Sequence, residues 1–128
     1  VSSGRERGKE NAVKILFILN DPPYGTERSY NGLRLAGSMV TKHESAEVDV
    51  FLMGDAVACA KSGQTTPNGY YNLERMLKPV LRRGRVLLCG SCMDARGLKE
   101  GEIVEGAKRS TLEELTQLSV AADKVIVF

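Results

Sequence analysis

Three short apolar runs, each cut off by a breaker, constrain this chain more than any other feature. Val13–Leu19 reads Val-Lys-Ile-Leu-Phe-Ile-Leu and stops at Asn20-Asp21-Pro22-Pro23-Tyr24-Gly25. Val48–Met53 stops at Gly54-Asp55, and Arg85–Cys89 stops at Gly90-Ser91. Nearly continuous apolar runs of this length fit strands covered on both faces, as in a parallel sheet. The segments between them carry helical spacing instead. Thr26 is placed to cap a helix through about Thr41, with Tyr30, Leu33, Ala36, Gly37 and Val40 on one face. A short helical piece follows around Ala56–Lys61. Leu73, Met76, Leu77, Val80 and Leu81 share helical spacing that Pro79 must kink or end.

Beyond the third run, Ser91–Arg96 opens a helix that Gly97 closes. Glu102-Ile103-Val104 reads as a short fourth strand. Ser110 with Glu113 forms a capping box for a helix carrying Leu112, Leu115, Leu118 and Ala122. Lys124–Phe128 closes the chain as a last strand. Strands alternating with helices predict an α/β protein, a three-layer α/β/α sandwich on a mainly parallel sheet of about five strands. The 128 residues suit one domain over 13–128, preceded by a polar, flexible tail over Val1–Ala12. Ser62–Gly69, polar and rich in breakers, reads as a mobile loop or lid.

Loops that follow parallel strands share one edge of the sheet, where such folds place their chemistry. The Asn20–Gly25 loop, the Gly54–Cys59 segment and the Cys89–Cys92 turn therefore gather on one side, with Cys59 in the neighbourhood of Cys89. A thiol at the end of a buried strand, followed by helix amides, is favoured as thiolate. Arg96, four residues after Cys92, sits one helical turn away and acts in the same direction.

Three readings of Cys89-Gly90-Ser91-Cys92 follow. Cys89 is a nucleophile that carries sulfur, with Cys92 a helper; or the pair is a dithiol–disulfide switch; or both thiols are small packed side chains. His43, in a polar stretch, and the single cysteine pair with ligand spacing make a weak case for zinc. Pro23-Tyr24-Gly25-Thr26 leads into a helix but lacks any nucleotide-binding pattern. Asp21 and Asp55 follow strands as in phospho-receiver pockets, without the lysine that chemistry requires. A net charge of +2 gives no argument for nucleic acid, and the basic run Arg82-Arg83-Gly84-Arg85 reads as a solvated helix end. No apolar run approaches the roughly 20 residues of a membrane helix. Three cysteines without an export signal suggest free thiols in a reducing cytoplasm.

Three stretches carry a family resemblance: Pro23-Tyr24-Gly25-Thr26 after the first strand, Cys89 running on to Arg96-Gly97-Leu98, and the ending Ala122-Asp123-Lys124-Val125-Ile126-Val127-Phe128. In their order and spacing the chain resembles the DsrE/DsrF-like family of small sulfur-relay proteins, with its TusD-type and YchN-like branches. Cys92 and the Cys-x-x-Cys-x-x-Ala-Arg-Gly arrangement fit the YchN-like branch better. The resemblance implies that Cys89 accepts a persulfide sulfur and hands it to a partner protein, with no metal or organic cofactor. It implies sulfur-donor and sulfur-acceptor proteins as partners and a homo-oligomer, a trimer or hexamer. The expected site is Cys89 and Cys92, supported by Tyr24, Gly25, Thr26, Cys59, Gly90, Ser91 and Arg96. The rival expectation, from a different class, is a non-catalytic assembly or small-ligand-binding module on the same fold.

Overall fold

The structure, a computed structural model, describes residues 12–128. The tail expected over Val1–Ala12 lies, except for Ala12, outside the described residues. Five strands form one sheet: β1 (Val13–Leu19), β2 (Ala46–Leu52), β3 (Arg85–Cys89), β4 (Lys108–Ser110) and β5 (Lys124–Val127). Their order is β4-β3-β2-β1-β5, and each neighbouring pair is parallel. Five α-helices serve the connections: α1 (Arg28–Lys42), α2 (Leu73–Met76), α3 (Lys78–Arg83), α4 (Gly90–Ala95) and α5 (Leu112–Ala121). The chain advances strand by strand from β1 to β4, then returns across the sheet to set β5 on the far side of β1. Right-handed crossovers that run in opposite directions lie on opposite faces. Helices α1 to α3 therefore cover one face and α5 the other, giving the three-layer α/β/α sandwich with a parallel sheet.

The apolar runs become the core because both faces of the central strands are covered. Phe17, Leu19, Val50, Leu52, Val86 and Leu88 are fully buried. Helix α1 lies close on this sheet: a Cβ on Gly32 would fall 2.6 Å from Leu19 Cδ2 and 3.1 Å from the Phe128 ring. That approach centres its buried stripe on Ser29, Gly32, Leu33, Ala36 and Val40, and leaves the expected Tyr30 and Gly37 at the margin. Helices α2 and α3 meet at Leu77, with Pro79 in the first turn of α3, where its missing N–H costs nothing.

Four local expectations are corrected. Glu102–Val104 is not a strand. Glu100–Glu102 forms one 3-10 turn, and the backbone there is tied to the segment after β2 through Ser62 N–H to Glu102 O (2.9 Å), Val104 N–H to Ala60 O (2.8 Å) and a bridge between Lys61 and Ile103. The true β4 is Lys-Arg-Ser, an edge strand whose polar composition hides it. The cap of α5 is Thr111, which accepts from Glu114 N–H at 3.1 Å, one position later than Ser110 and Glu113. Leu112 consequently leaves the apolar face and is 69% exposed. Glu27, not Thr26, holds the N-cap position of α1; Thr26 donates its hydroxyl to Asp21 Oδ2 (2.9 Å).

The fourth correction concerns Ser62–Gly69, whose base is pinned rather than free. The Gln64 side-chain amide donates to the carbonyls of Cys59 (2.8 Å) and Lys61 (2.9 Å). The Gln64 backbone donates to Glu74 Oε1 (2.8 Å) and accepts from Asn72 Nδ2 (3.1 Å). No helix among the described residues is long and apolar enough to cross a membrane.

At the amino-terminal end of the sheet, Gly84 permits the closest approach of any described glycine. A Cβ there would lie 2.0 Å from the Val48 carbonyl oxygen. Gly84→Ala must push β2 and β3 apart at their start. Overpacking of this kind costs about 1–3 kcal/mol. Denaturant unfolding of the variant is expected to show that loss, and stability equal to wild type would contradict so close an approach.

Candidate functional site

Parallel strands end together, and their ends build the site. Met53 N–H donates to Leu19 O at 2.9 Å, which aligns the exits of β1 and β2. The chain then turns at Gly54, whose φ of +56° is a left-handed conformation that glycine adopts without strain. A Cβ on Gly54 would sit 3.6 Å from Asn20 O and 4.0 Å from a terminal guanidinium nitrogen of Arg96. The loop after β1, the 3-10 segment Gly54–Ala60 after β2 and the turn after β3 thus meet at one edge, as the topology requires.

Cys89 is at once the last residue of β3 and the N-cap of α4, which starts at Gly90, one residue before the expected Ser91. A cap normally presents a side-chain oxygen to an orphan amide of the first turn. Here the acceptor is sulfur: Cys92 N–H donates to Cys89 Sγ at 3.3 Å. Ser91 Oγ lies at the same distance, 3.3 Å, from Cys89 Sγ. Burial pushes the Cys89 thiol up. The hydrogen bonds from the side chains and amides of Cys92 and Ser91 outweigh it and hold the thiol below its ordinary value. Cys92 moves the other way. Burial and the neighbouring Cys89 raise it, against the Gly54 amide and the Arg96 charge. Of the pair, Cys89 ionises first and Cys92 keeps its proton.

Four features hold α4 in place. Met93 is fully buried. The helix ends in a Schellman motif, with Leu98 N–H on Met93 O (2.9 Å), Gly97 N–H on Asp94 O (3.2 Å) and Gly97 at φ +66°. Arg96 donates through Nε to Asp55 Oδ1 (2.9 Å) and through a terminal nitrogen to Cys92 O (3.1 Å), which ties α4 to the segment after β2. Arg109 of β4 grips Asp94 with two hydrogen bonds of 2.9 and 2.8 Å. Its guanidinium lies against the Cα of Gly90, where a Cβ would come within 2.8 Å of Arg109 Nε. A side chain at position 90 would have to displace the Arg109 guanidinium.

Arg109 was invisible in the sequence, because only the register Cys89↔Ser110 places it beside the thiol turn. The sole local signal was a Lys-Arg pair ahead of a helix cap. Asp94 raises Arg109 above its ordinary value, with smaller contributions from Glu100 and Cys89.

The remaining expected residues sit elsewhere in the same edge. Tyr24 donates its hydroxyl to Gln64 Oε1 (2.6 Å) and accepts from Leu73 N–H (3.1 Å), joining the first loop to Gln64 and to α2. Its ring stacks on Tyr71 at 5.9 Å. Gly25, at φ +104°, makes the turn that follows Tyr24. Cys59 is fully buried, 3.9 Å from the Asp21 carbonyl, and burial pushes its thiol up to about 12 despite a hydrogen bond with Ser29. That environment makes it a packed side chain, not a nucleophile. Among the described residues no group of three or more His, Cys, Asp or Glu side chains is arranged to hold a metal. A cavity of about 480 Å³ lies at the opposite end of the strands, lined by Lys14, Glu47, Asp49, Arg85, Leu118 and Ala122, and contains no cysteine.

The model of the DsrE/DsrF-like family matches residues 13–128, which include every strand and helix above. The chain belongs to the DsrE/DsrF-like family. It is 37% identical over 116 residues to protein YchN of Escherichia coli K12, covering 90% of this chain and 98% of that protein. It is 38% identical over 117 residues to the uncharacterized protein MJ0989 of Methanocaldococcus jannaschii, covering 91% of this chain and 100% of that one. The crystal structure of the E. coli ychN protein superposes with a TM-score of 0.85 over 91% of this chain and 99% of that one. A protein of unknown function from Methanobacterium thermoautotrophicum, MTH1491, shares the fold at a TM-score of 0.74 and 12% identity, covering 91% of this chain and 99% of that one.

The burial of Cys59 has a pH consequence. Its thiol rises from 9.0 to about 12 on folding, so the unfolded chain loses that proton first as pH increases. The contribution is complete below the unfolded value and disappears as pH climbs from about 9 toward 12. The wild-type protein is expected to lose stability more steeply over that window than Cys59→Ala, as read by denaturant midpoints at successive pH values. Parallel curves for the two proteins would contradict the assignment.

Proposed function

We propose that this protein is a sulfur carrier that accepts a persulfide sulfur on Cys89 and passes it to a partner protein. In the loading step, Cys89 thiolate attacks the terminal sulfur of a donor persulfide. A sulfur–sulfur bond forms at Cys89 Sγ, and the donor cysteine leaves as its thiolate. An acceptor thiol then takes the outer sulfur by the same exchange. The chemistry needs a nucleophilic thiolate and room for a partner, and neither a metal nor an organic cofactor. The observation that carries this reading is the pair of groups at 3.3 Å from Cys89 Sγ: the Cys92 amide, which donates to it, and the Ser91 hydroxyl, which can donate to the thiolate. Membership of the DsrE/DsrF-like family supports it. The protein is thus a sulfurtransferase in the sense of a carrier, acting between sulfur-donor and sulfur-acceptor proteins in a reducing compartment, the cytoplasm.

A homo-oligomer, a trimer or hexamer, belongs to the same reading. Edge strand β5 leaves Val125 44% and Val127 60% exposed, and α5 leaves Val120 83% exposed, apolar surface that a second copy would cover. One observation favours the rival reading of a non-catalytic assembly or ligand-binding module: Cys89 is only 8% exposed.

Intact-mass spectrometry after incubation with a persulfide donor separates the two. The wild-type protein is expected to gain one sulfur that reductant removes, and Cys89→Ser to gain none. Normal uptake by Cys89→Ser would move the site. No uptake by either protein would transfer the conclusion to the non-catalytic module.

A further inference from the structure

Loading Cys89 draws on the backbone amide of Cys92 but not on its thiol, yet that thiol is the group best placed to act on what Cys89 carries. The Cys92 amide reaches Cys89 Sγ at 3.3 Å. The two residues are N-cap and third residue of one helical turn. That spacing brings Cα atoms within the roughly 4.4–6.8 Å that a disulfide spans. No other thiol competes, because Cys59 is fully buried against the first loop.

The surroundings of Cys92 also depend on the state of its neighbour. The Gly54 amide and the Arg96 guanidinium favour its thiolate; the Cys89 side chain opposes it. Arg96 is fixed there by Asp55 at 2.9 Å and by the Cys92 carbonyl at 3.1 Å. When Cys89 takes up sulfur, the negative charge leaves Sγ for the added outer atom. The opposition to the Cys92 thiolate weakens while Gly54 and Arg96 stay in place.

We propose that Cys92 discharges the sulfur held on Cys89 as hydrosulfide, so that the protein is a persulfide reductase as well as a carrier. The proposal rests on the carrier reading above. In the step, Cys92 loses its proton and attacks Cys89 Sγ. The Cys89–Cys92 sulfur–sulfur bond forms, and the bond from Cys89 Sγ to the outer sulfur breaks. The outer sulfur leaves with that electron pair as hydrosulfide, and the proton from Cys92 ends in solvent or on the departing sulfide. The carried sulfur is reduced by two electrons, and the two cysteines are oxidised to a disulfide. A dithiol reductant returns the pair to thiols for another round.

The test uses the reduced full chain, freed of reductant, treated with inorganic polysulfide and desalted. Released sulfide is assayed while intact mass and disulfide mapping follow the protein. Wild type is expected to lose its added sulfur, release one hydrosulfide per chain and finish two hydrogens lighter than the reduced protein, with the bond mapped to Cys89–Cys92. Cys92→Ser and Cys92→Ala are expected to keep the added sulfur on Cys89 and release none. Wild type that holds the adduct as long as the variants, or variants that release sulfide at the wild-type rate, would overturn the release step and leave the carrier standing. Folded Cys92 variants, checked by circular dichroism, that take up no sulfur would overturn both.

Discussion

The site depends on one hydrogen bond, from the Cys92 amide to Cys89 Sγ. It exists because β3 runs into α4 with no intervening residue, so that a single sulfur both ends the strand and caps the helix. A thiol in that position is held by groups that prefer it charged. Removing the bond would leave an orphan amide at the start of α4 and a buried thiol with less reason to ionise. The features around α4 all preserve this join. Met93 anchors the helix below, the turn at Gly97 and Leu98 stops it after six residues, and Gly90 gives the Arg109 guanidinium its place.

The ion pairs around the turn are geometric devices more than sources of stability. Arg109–Asp94 and Arg96–Asp55 are largely exposed, with the two carboxylates 65% and 62% accessible. Pairs of that kind contribute about 0–1 kcal/mol. What they do is fix two cations near the cysteines. Arg96 acts toward Cys92, and the different hydrogen bonds of the two thiols separate their proton affinities. A pair that shares one environment but not one ionisation state has a nucleophile and a proton-bearing partner already assigned.

Much of this was legible from residues. Val13–Leu19 and Arg85–Cys89 announce themselves as strands because burial on both faces demands apolar side chains at nearly every position, Lys14 and Arg85 being the exposed exceptions. Cys89 and Cys92 stand out because Gly90 and Ser91 break the run that precedes them, and Pro79 marks the join of α2 and α3. Lys108–Ser110 was hidden because an edge strand of three residues needs no apolar pattern, and Glu102–Val104 misled because an apolar pair can be buried without entering a sheet. Gly54 was visible only as a strand breaker, and the parts played by Arg109, Gly54 and Gln64 in the site could not be read from the sequence. Their roles come from strand register, from a positive φ and from five hydrogen bonds made by one polar side chain and its backbone, none of which has a local sequence signature.

The claim at the centre of this account is that Cys89, more buried than Cys92, is nevertheless the first of the two to ionise. Carbon-13 labelling at cysteine Cβ, followed by NMR across a pH titration of the reduced protein, reads each thiol separately. The account predicts that Cys89 titrates below the ordinary thiol value, Cys92 above it, and Cys59 last. Cys92 titrating before Cys89 would contradict it, because the donors around Cys89 Sγ would then not be governing its charge.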